Sequence, residues 1–396
     1  MDKTEWKEKK ISLGNAIIIG FILAVIGAVV GANWNTVFGS FSPYLGMGSV
    51  QSEVDWSSLD EVYNKLNMTY NGEVDVAAAV EGAKTGLVNA LGDKYTVYMD
   101  ADKSADFYDD LHGKVGAGIG VEMGLRDEYV RVLRTLPDNP ARRAGILAGD
   151  IIYKINGVEV WQKTSDEIAK LVRGEAGTSL ALTVVRDGKE KEFSLTREEI
   201  NNVSAYVDYD GTTAIVTVTR FDNDTGTMVQ EMAKEFAGRG VNKVILDLRG
   251  NGGGYVNAAQ DLLALWIDGQ KVLVEKSLHF GNKTVSTASG KAILSNTKTI
   301  VLVNGSTASA SEIVAGALQD YGRATIVGEQ TYGKGVMQSL FTLSGGSTLK
   351  VTTAEWYTPK ERSINKDGIT PDEVVERSFE DINAMKDPQM DKAKEL

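Results

Sequence analysis

The chain contains no cysteine and only two histidines, His112 and His279. The first absence removes a cysteine nucleophile and any Cys-rich zinc site. It also leaves the chain indifferent to the redox state of its compartment. The second nearly removes the usual general base. The two histidines lie far apart and neither sits in an H-E-x-x-H context, so a two-histidine metal helix is excluded. His112 follows "DDL" and His279 stands in "KSLHFGNK". Both are read as polar loop or element-end residues, which argues against a Ser-His-Asp arrangement.

A basic excess is missing as well. The net charge is −12 over 396 residues, which argues against general nucleic-acid binding. With 42% hydrophobic and 24% charged residues the chain is ordinary globular protein, with room for two or three domains. Residues 11–32, "ISLGNAIIIGFILAVIGAVVGA", carry no charge at all. That length suits a membrane helix of about 20 residues and exceeds the apolar part of a signal peptide, about 7–15 residues. Four lysines precede the run and none follows closely. The positive-inside rule then puts residues 1–10 in the cytoplasm and the rest of the chain outside it. The expectation is a single-pass anchor in the cell membrane. Cleavage after "VGA", giving a secreted chain, is the alternative.

Residues 33–52 are uncharged and bear Gly and Ser, as a linker would. Residues 53–112 show helical spacing in "SSLDEVYNKLNMTY" and "DVAAAVEGAKTGLVNALGD", which predicts a small helical domain suited to a cap or an oligomer face. From 113 to 197 short strands, one helix and a D-G hairpin predict a compact α+β module. Its glycine-rich lead at 116–120, "AGILAGDIIYKING" from Ala144, and the helical segment 166–172 resemble a PDZ domain. The resemblance implies that glycine-loop N–H groups hold a peptide's C-terminal carboxylate while the peptide adds as a strand. The residues expected at that groove are Gly118, Ile119, Gly120, Val121, Ile168 and Leu171. Residues 198–376 alternate strands with helices, which predicts a mixed or mostly parallel α/β core. Residues 377–396 read as a polar terminal helix or tail.

Chemistry concentrates in three stretches. "VILDLRGNGGG" is a strand followed by a glycine turn. It lacks the Lys-Ser/Thr of a P-loop, and Tyr255 stands where a dinucleotide loop needs its last glycine. What remains is a turn whose N–H groups can hold an oxyanion. "NGSTASASEIVAGALQDYG" offers four hydroxyls, Ser306, Thr307, Ser309 and Ser311, between an apolar strand and a helix. "EQTYGKGVMQ" holds Lys334 between two glycines with no neighbouring acid. Burial would lower its pKa and make it a usable base. If the stretch after it is a strand, Gln338 shares its face and can hold it.

Together with "LGDKYTVYMD", the inserted module and "GITPD", these stretches closely resemble the C-terminal processing peptidases, the tail-specific serine proteases of peptidase family S41, from about residue 55 to 375. The resemblance implies a ClpP/crotonase-like protease core and a Ser-Lys dyad. The family's nucleophile lies 25 residues before its lysine, which selects Ser309, with Lys334 as base and Gln338 as the residue that orients it. Ser311 then reads as a helix cap and Asp320 as structural. An oxyanion hole would use the N–H of Ala310 and of Gly253 or Gly254. The implied partners are proteins or peptides with free C-termini, bound and gated by the PDZ domain, with no metal or organic cofactor. A homodimer through the helical domain and the C-terminal helix is also expected. An adaptor that binds tails without cutting is the rival from another class.

Overall fold

The computed structural model describes residues 55–126, 128–277, 281–384 and 386–396, together with Leu23 and Gly27. The expected anchor at 11–32 lies otherwise outside the described residues, as do the linker and His279. Among the described residues no helix is long and apolar enough to cross a membrane. The chain divides into two compact units, Met1–Ala79 and Val80–Leu396.

In the first unit the helix Ser57–Thr69 buries no residue of its own, and Leu59, Val62 and Leu66 stand exposed at helical spacing. The Asp55 carboxylate accepts from Ser57 N–H at 2.9 Å, satisfying one of the helix's unpaired donors. The division between units falls inside the next helix, Val76–Asn89.

The segment expected to be wholly helical contains a strand, Val97–Met99, followed by the helix Ala101–Leu111. This strand pairs antiparallel with Thr348–Tyr357 and becomes the edge of a five-stranded sheet that also holds Lys271–Ser277, Lys283–Thr287 and Val336–Thr342. Three residues are too few to show a strand period, and their partner is distant in the chain.

Residues 121–196 form a separate antiparallel sheet with two helices, Pro140–Arg143 and Ser165–Val172, and Ala117–Gly118 pairs apart from it with Glu198–Glu199. Alternate residues of Ser179–Arg186 (Leu180, Leu182 and Val184) are fully buried, along with Val130, Val132, Ile152 and Ile168. Each such side chain stabilises the module by about 1.5–3 kcal/mol. Thr164 caps the second helix reciprocally with Glu167.

The core sheet runs in the order Ala205–Asp210, Thr213–Val218, Lys243–Asp247, Lys298–Val303, Thr325–Gly328, Glu373–Val374. Only the first pair is antiparallel. Helices Thr225–Phe236, Val256–Leu263 and Ala310–Asp320 cover one face. Pro388–Glu395 covers the other, with Ala393 packed among Ile245, Ile300, Leu302 and Val327. Covering both faces explains why Lys298–Val303 is apolar without alternation. The C-terminal helix thus turns Met390 and Ala393 toward its own chain. Two parallel strands, Lys243–Asp247 and Lys298–Val303, end side by side. The glycine turn and the hydroxyl-rich stretch both start there, outside the carboxyl ends where ligands bind in sheets of this kind.

Candidate active site

Asn251 joins the two loops. It is fully buried; its carbonyl accepts from Ala308 N–H at 3.0 Å and from the Ser311 hydroxyl at 3.0 Å. Its side chain donates to Val218 O at 2.9 Å and accepts from Gly253 N–H at 2.8 Å. Thr307, also fully buried, donates its hydroxyl to Leu248 O at 2.9 Å.

The four hydroxyls are thereby told apart. Thr307 and Ser311 are interior struts. Ser311 lies inside the helix Ala310–Asp320, so it is not the cap expected of it. Ser306 is exposed. Ser309 occupies the N-cap position, half-buried, with φ 57° and ψ −117°. A non-glycine residue at positive φ stores about 1–3 kcal/mol of strain, which the surroundings must offset. Here they do so through the Ser309 N–H, given to Glu312 Oε2 at 2.8 Å, and the Ser309 carbonyl, which accepts from Glu312 and Ile313 N–H. The Ser309 hydroxyl donates to no group among the described residues.

The glycine turn presses directly on this serine. A Cβ on Gly253, at φ +103°, would lie 2.8 Å from Ala308 O, 2.8 Å from Ser309 Cβ and 3.0 Å from Ala310 N. One on Gly254 would lie 2.1 Å from Phe221 O. Phe221 brackets Gly254: its N–H donates to Gly253 O at 2.9 Å, and its carbonyl accepts from Tyr255 N–H at 2.7 Å. The Gly253 N–H is taken by Asn251. Those of Gly254 and Ala310 meet no acceptor among the described residues.

Lys334 is half-buried, with Nζ 5.5 Å from the centre of the Tyr95 ring and no acidic partner among the described residues. Burial holds its pKa below the ordinary lysine value, the neighbouring Lys350 charge adds to this, and Glu312 opposes it in part. Its backbone is fixed at both ends. The N–H donates to Glu312 Oε2 at 2.9 Å and the carbonyl accepts from Trp356 Nε1 at 2.9 Å. No hydrogen bond joins Lys334 Nζ to Ser309 Oγ.

Glu312 connects serine and lysine, a role not read from the sequence. This fully buried carboxylate accepts from Ser309 N–H, from Thr331 O–H at 2.5 Å, from Gly333 N–H at 2.7 Å and from Lys334 N–H. One of its oxygens takes both the Ser309 and Lys334 amides. The capping spacing S-x-x-E from Ser309 was the available signal.

Gln338 departs from expectation: its amide donates to Tyr95 O, not to Lys334. The strand begins only at Val336, and its register shifts between Met337 and Gln338. Lys334 lies before the strand, so the alternation on which a shared face depended does not reach it. Tyr95 is what the two share, its ring facing Lys334 and its carbonyl holding Gln338. Asp320 is structural, bound to Arg362 at 2.6 Å.

In the 117–196 module a cavity is lined by Gly118, Ile119, Gly120 and Val121, as expected. Ile168 and Leu171 are not on its wall. Ile168 is fully buried in the module core and Leu171 is exposed. The helix turns Ala169, Val172 and Arg173 to the cavity instead, at the i, i+3, i+4 spacing of one face. The N–H groups of Ile119 and Gly120 have no acceptor among the described residues. Gly120, at φ +74°, must be glycine because a Cβ would meet Asn139 at 2.2 Å.

Residues 212–375 match peptidase family S41, 117–196 match the PDZ domain, and 46–103 match the activating protease CtpB N-terminal domain. A probable CtpA-like serine protease of Staphylococcus aureus (strain MSSA476) is 33% identical over 337 residues, covering 84% of this chain and 67% of the relative. One from Staphylococcus saprophyticus is 29% identical, covering 93% and 73%. Among solved structures, a photosystem II D1 C-terminal processing protease aligns with TM-score 0.53 at 29% identity, covering 81% of this chain and 87% of that one. A structure described as "Putative S41 protease from Bacteroides fragilis", at 17% identity and TM-score 0.54 and covering 77% of this chain and 86% of that one, shares the fold.

Proposed function

From the chain's membership of peptidase family S41, among the CtpA-like serine proteases with a PDZ domain, we propose that it is a Ser-Lys endopeptidase cutting proteins near unstructured, free C-termini. The observation that carries this reading is the serine itself. Ser309 sits on a strained turn against Gly253, and Glu312 ties that turn to Lys334.

Neutral Lys334 takes the Ser309 proton as Oγ attacks the scissile carbonyl. The Ala310 and Gly254 N–H groups receive the oxyanion, because the Gly253 N–H is already engaged by Asn251. The protonated lysine then gives its proton to the leaving amine, and water hydrolyses the acyl-serine. Lys334 must move toward Ser309 for the first step, and Gln338 must leave Tyr95 O to hold the lysine. Those two shifts are the change a gate would control. In this reading the PDZ cavity is the gate's sensor, taking the tail carboxylate on the Ile119 and Gly120 N–H groups. The uncharged run at 11–32 would tether the protease outside the cytoplasm. The exposed Leu59, Val62 and Leu66 would form a dimer face.

Amidation of the substrate's C-terminus tests the tail reading. Removing the carboxylate charge should lower kcat/KM by about 10-fold or more, the worth of charge-assisted hydrogen bonds. Equal rates for the acid and the amide would remove the PDZ from substrate selection and leave the chemistry at Ser309 untouched.

A further inference from the structure

We infer that Arg220 is the positioning residue through which the tail cavity sets the glycine turn beside Ser309. The inference rests on the tail reading above and adds the physical link that it lacks.

The cavity wall includes Ile200 and Asn202, on the segment that leaves the PDZ module for the protease core. This segment is bound to the one that enters the module. Ile200 N–H donates to Gly116 O at 3.2 Å, and Asn202 Nδ2 donates to Gly113 O at 3.2 Å. Both crossings therefore behave as one hinge. Arg220 clamps that hinge to the core. Its guanidinium donates to Asn202 O at 2.5 Å and pairs with Asp222 at 2.9 Å, while its side chain remains 17% exposed. Gly113, at φ +70°, crosses so close that a Cβ there would lie 2.2 Å from the guanidinium carbon. Asp222 is fixed in turn, accepting from Thr225 and Asp224 N–H at 3.1 Å each.

The residue after Arg220 is Phe221, fully buried, which brackets Gly254 through the two hydrogen bonds described above. The order is thus cavity wall, Asn202, Arg220, Phe221, glycine turn, each joined to the next by a covalent or hydrogen bond. Packed segments with close contacts pass displacement instead of absorbing it. A tail that shifts Asn202 moves the guanidinium, and with it the strand end that aims the Gly254 N–H.

The test uses the full chain in detergent, with Arg220→Gln and Arg220→Lys. Two readouts are needed: binding of a fluorescent peptide with a free C-terminus, and cleavage of one substrate as the acid and as the amide. Arg220→Gln should bind the peptide as the parent does. Its kcat for the acid substrate should fall about tenfold with KM little changed, the size of a typical coupling. The acid-to-amide ratio should approach one. Arg220→Lys, which keeps the charge, should recover part of the ratio, and it decides the matter if the glutamine variant melts early. A parental ratio in both variants overturns the inference alone, and so does loss of peptide binding in step with cleavage. A parent that cuts acid and amide alike overturns the tail reading and this inference together.

Discussion

Glu312→Ala is expected to cost the fold about 3–5 kcal/mol and to remove most cleavage with it. The carboxylate is fully buried and accepts four donors, three of them backbone N–H groups. A methyl group in its place leaves those donors without an acceptor. Each costs about 1–3 kcal/mol, with water entering the space relieving part of the sum. The effect on rate has a separate cause. Ser309 keeps its strained backbone because its N–H is held, and Lys334 keeps its place through the same oxygen. Releasing both lets the reacting atoms drift by an ångström or so, which costs about 100-fold. Glu312→Gln preserves size but turns an NH2 toward N–H donors, so it should fall between parent and alanine on both measures. Urea unfolding and cleavage on the same samples separate the two effects. An alanine variant with parental stability would mean that the carboxylate does not hold the two turns.

Lys334→Met should lower cleavage by about 10⁴-fold while leaving the protein folded, because the thioether fills the space of the stem and carries no amine. Lys334→Arg should not rescue it, since a guanidinium does not release its proton at usable pH. The pH dependence follows from the neighbours of the amine. The base works only when neutral, so the rate rises with pH as the proton leaves Lys334 and levels off above its pKa. Burial brings that rise below the range of an ordinary lysine, and Lys350 brings it lower still. Lys350 is itself half-buried, 5.4 Å from the Phe107 ring centre, and its own pKa is pushed down by burial. Lys350→Met removes a repelling charge, so Lys334 holds its proton more firmly and the rising limb moves to higher pH. Glu312 acts in the opposite sense and the Tyr95 ring faces the amine, and both stay in place in this variant. Profiles of kcat/KM for parent and variant decide it. A limb that stays put, or moves to lower pH, would remove Lys334 as the base.

What could be read in the sequence was what is local or periodic. The apolar run at Lys298–Val303 and the glycine turn after Lys243–Asp247 announced parallel strands with a site at their ends. The cavity residues Gly118, Ile119, Gly120 and Val121 followed from a glycine-rich loop. Contacts between distant segments could not be read. Val97–Met99 becomes a strand only because Thr348–Lys350 lies beside it. The Gln338 amide meets the carbonyl of Tyr95, a partner far away in the chain, instead of Lys334, which lies before the strand. Ile168 and Leu171 were misplaced by rotation of a helix, where one residue changes the direction of a side chain by about 100°. Asn251 and Glu312 looked like a turn residue and a first-turn acid. Their importance lies in donors that meet them only after folding. That Asn251 takes the Gly253 N–H likewise could not be read before folding.

The Ser309 hydroxyl is expected to attack the substrate, so a chain without it is the variant to compare. The full chain and its Ser309→Ala variant are mixed with a loosely folded protein that ends in small apolar residues, and the fragments are followed by mass spectrometry. Fragments cut near the C-terminus are expected from the parent, and from the variant only a trace, lower by about 10⁴-fold or more. Equal fragments from both would contradict it, because some other group would then be making the cut.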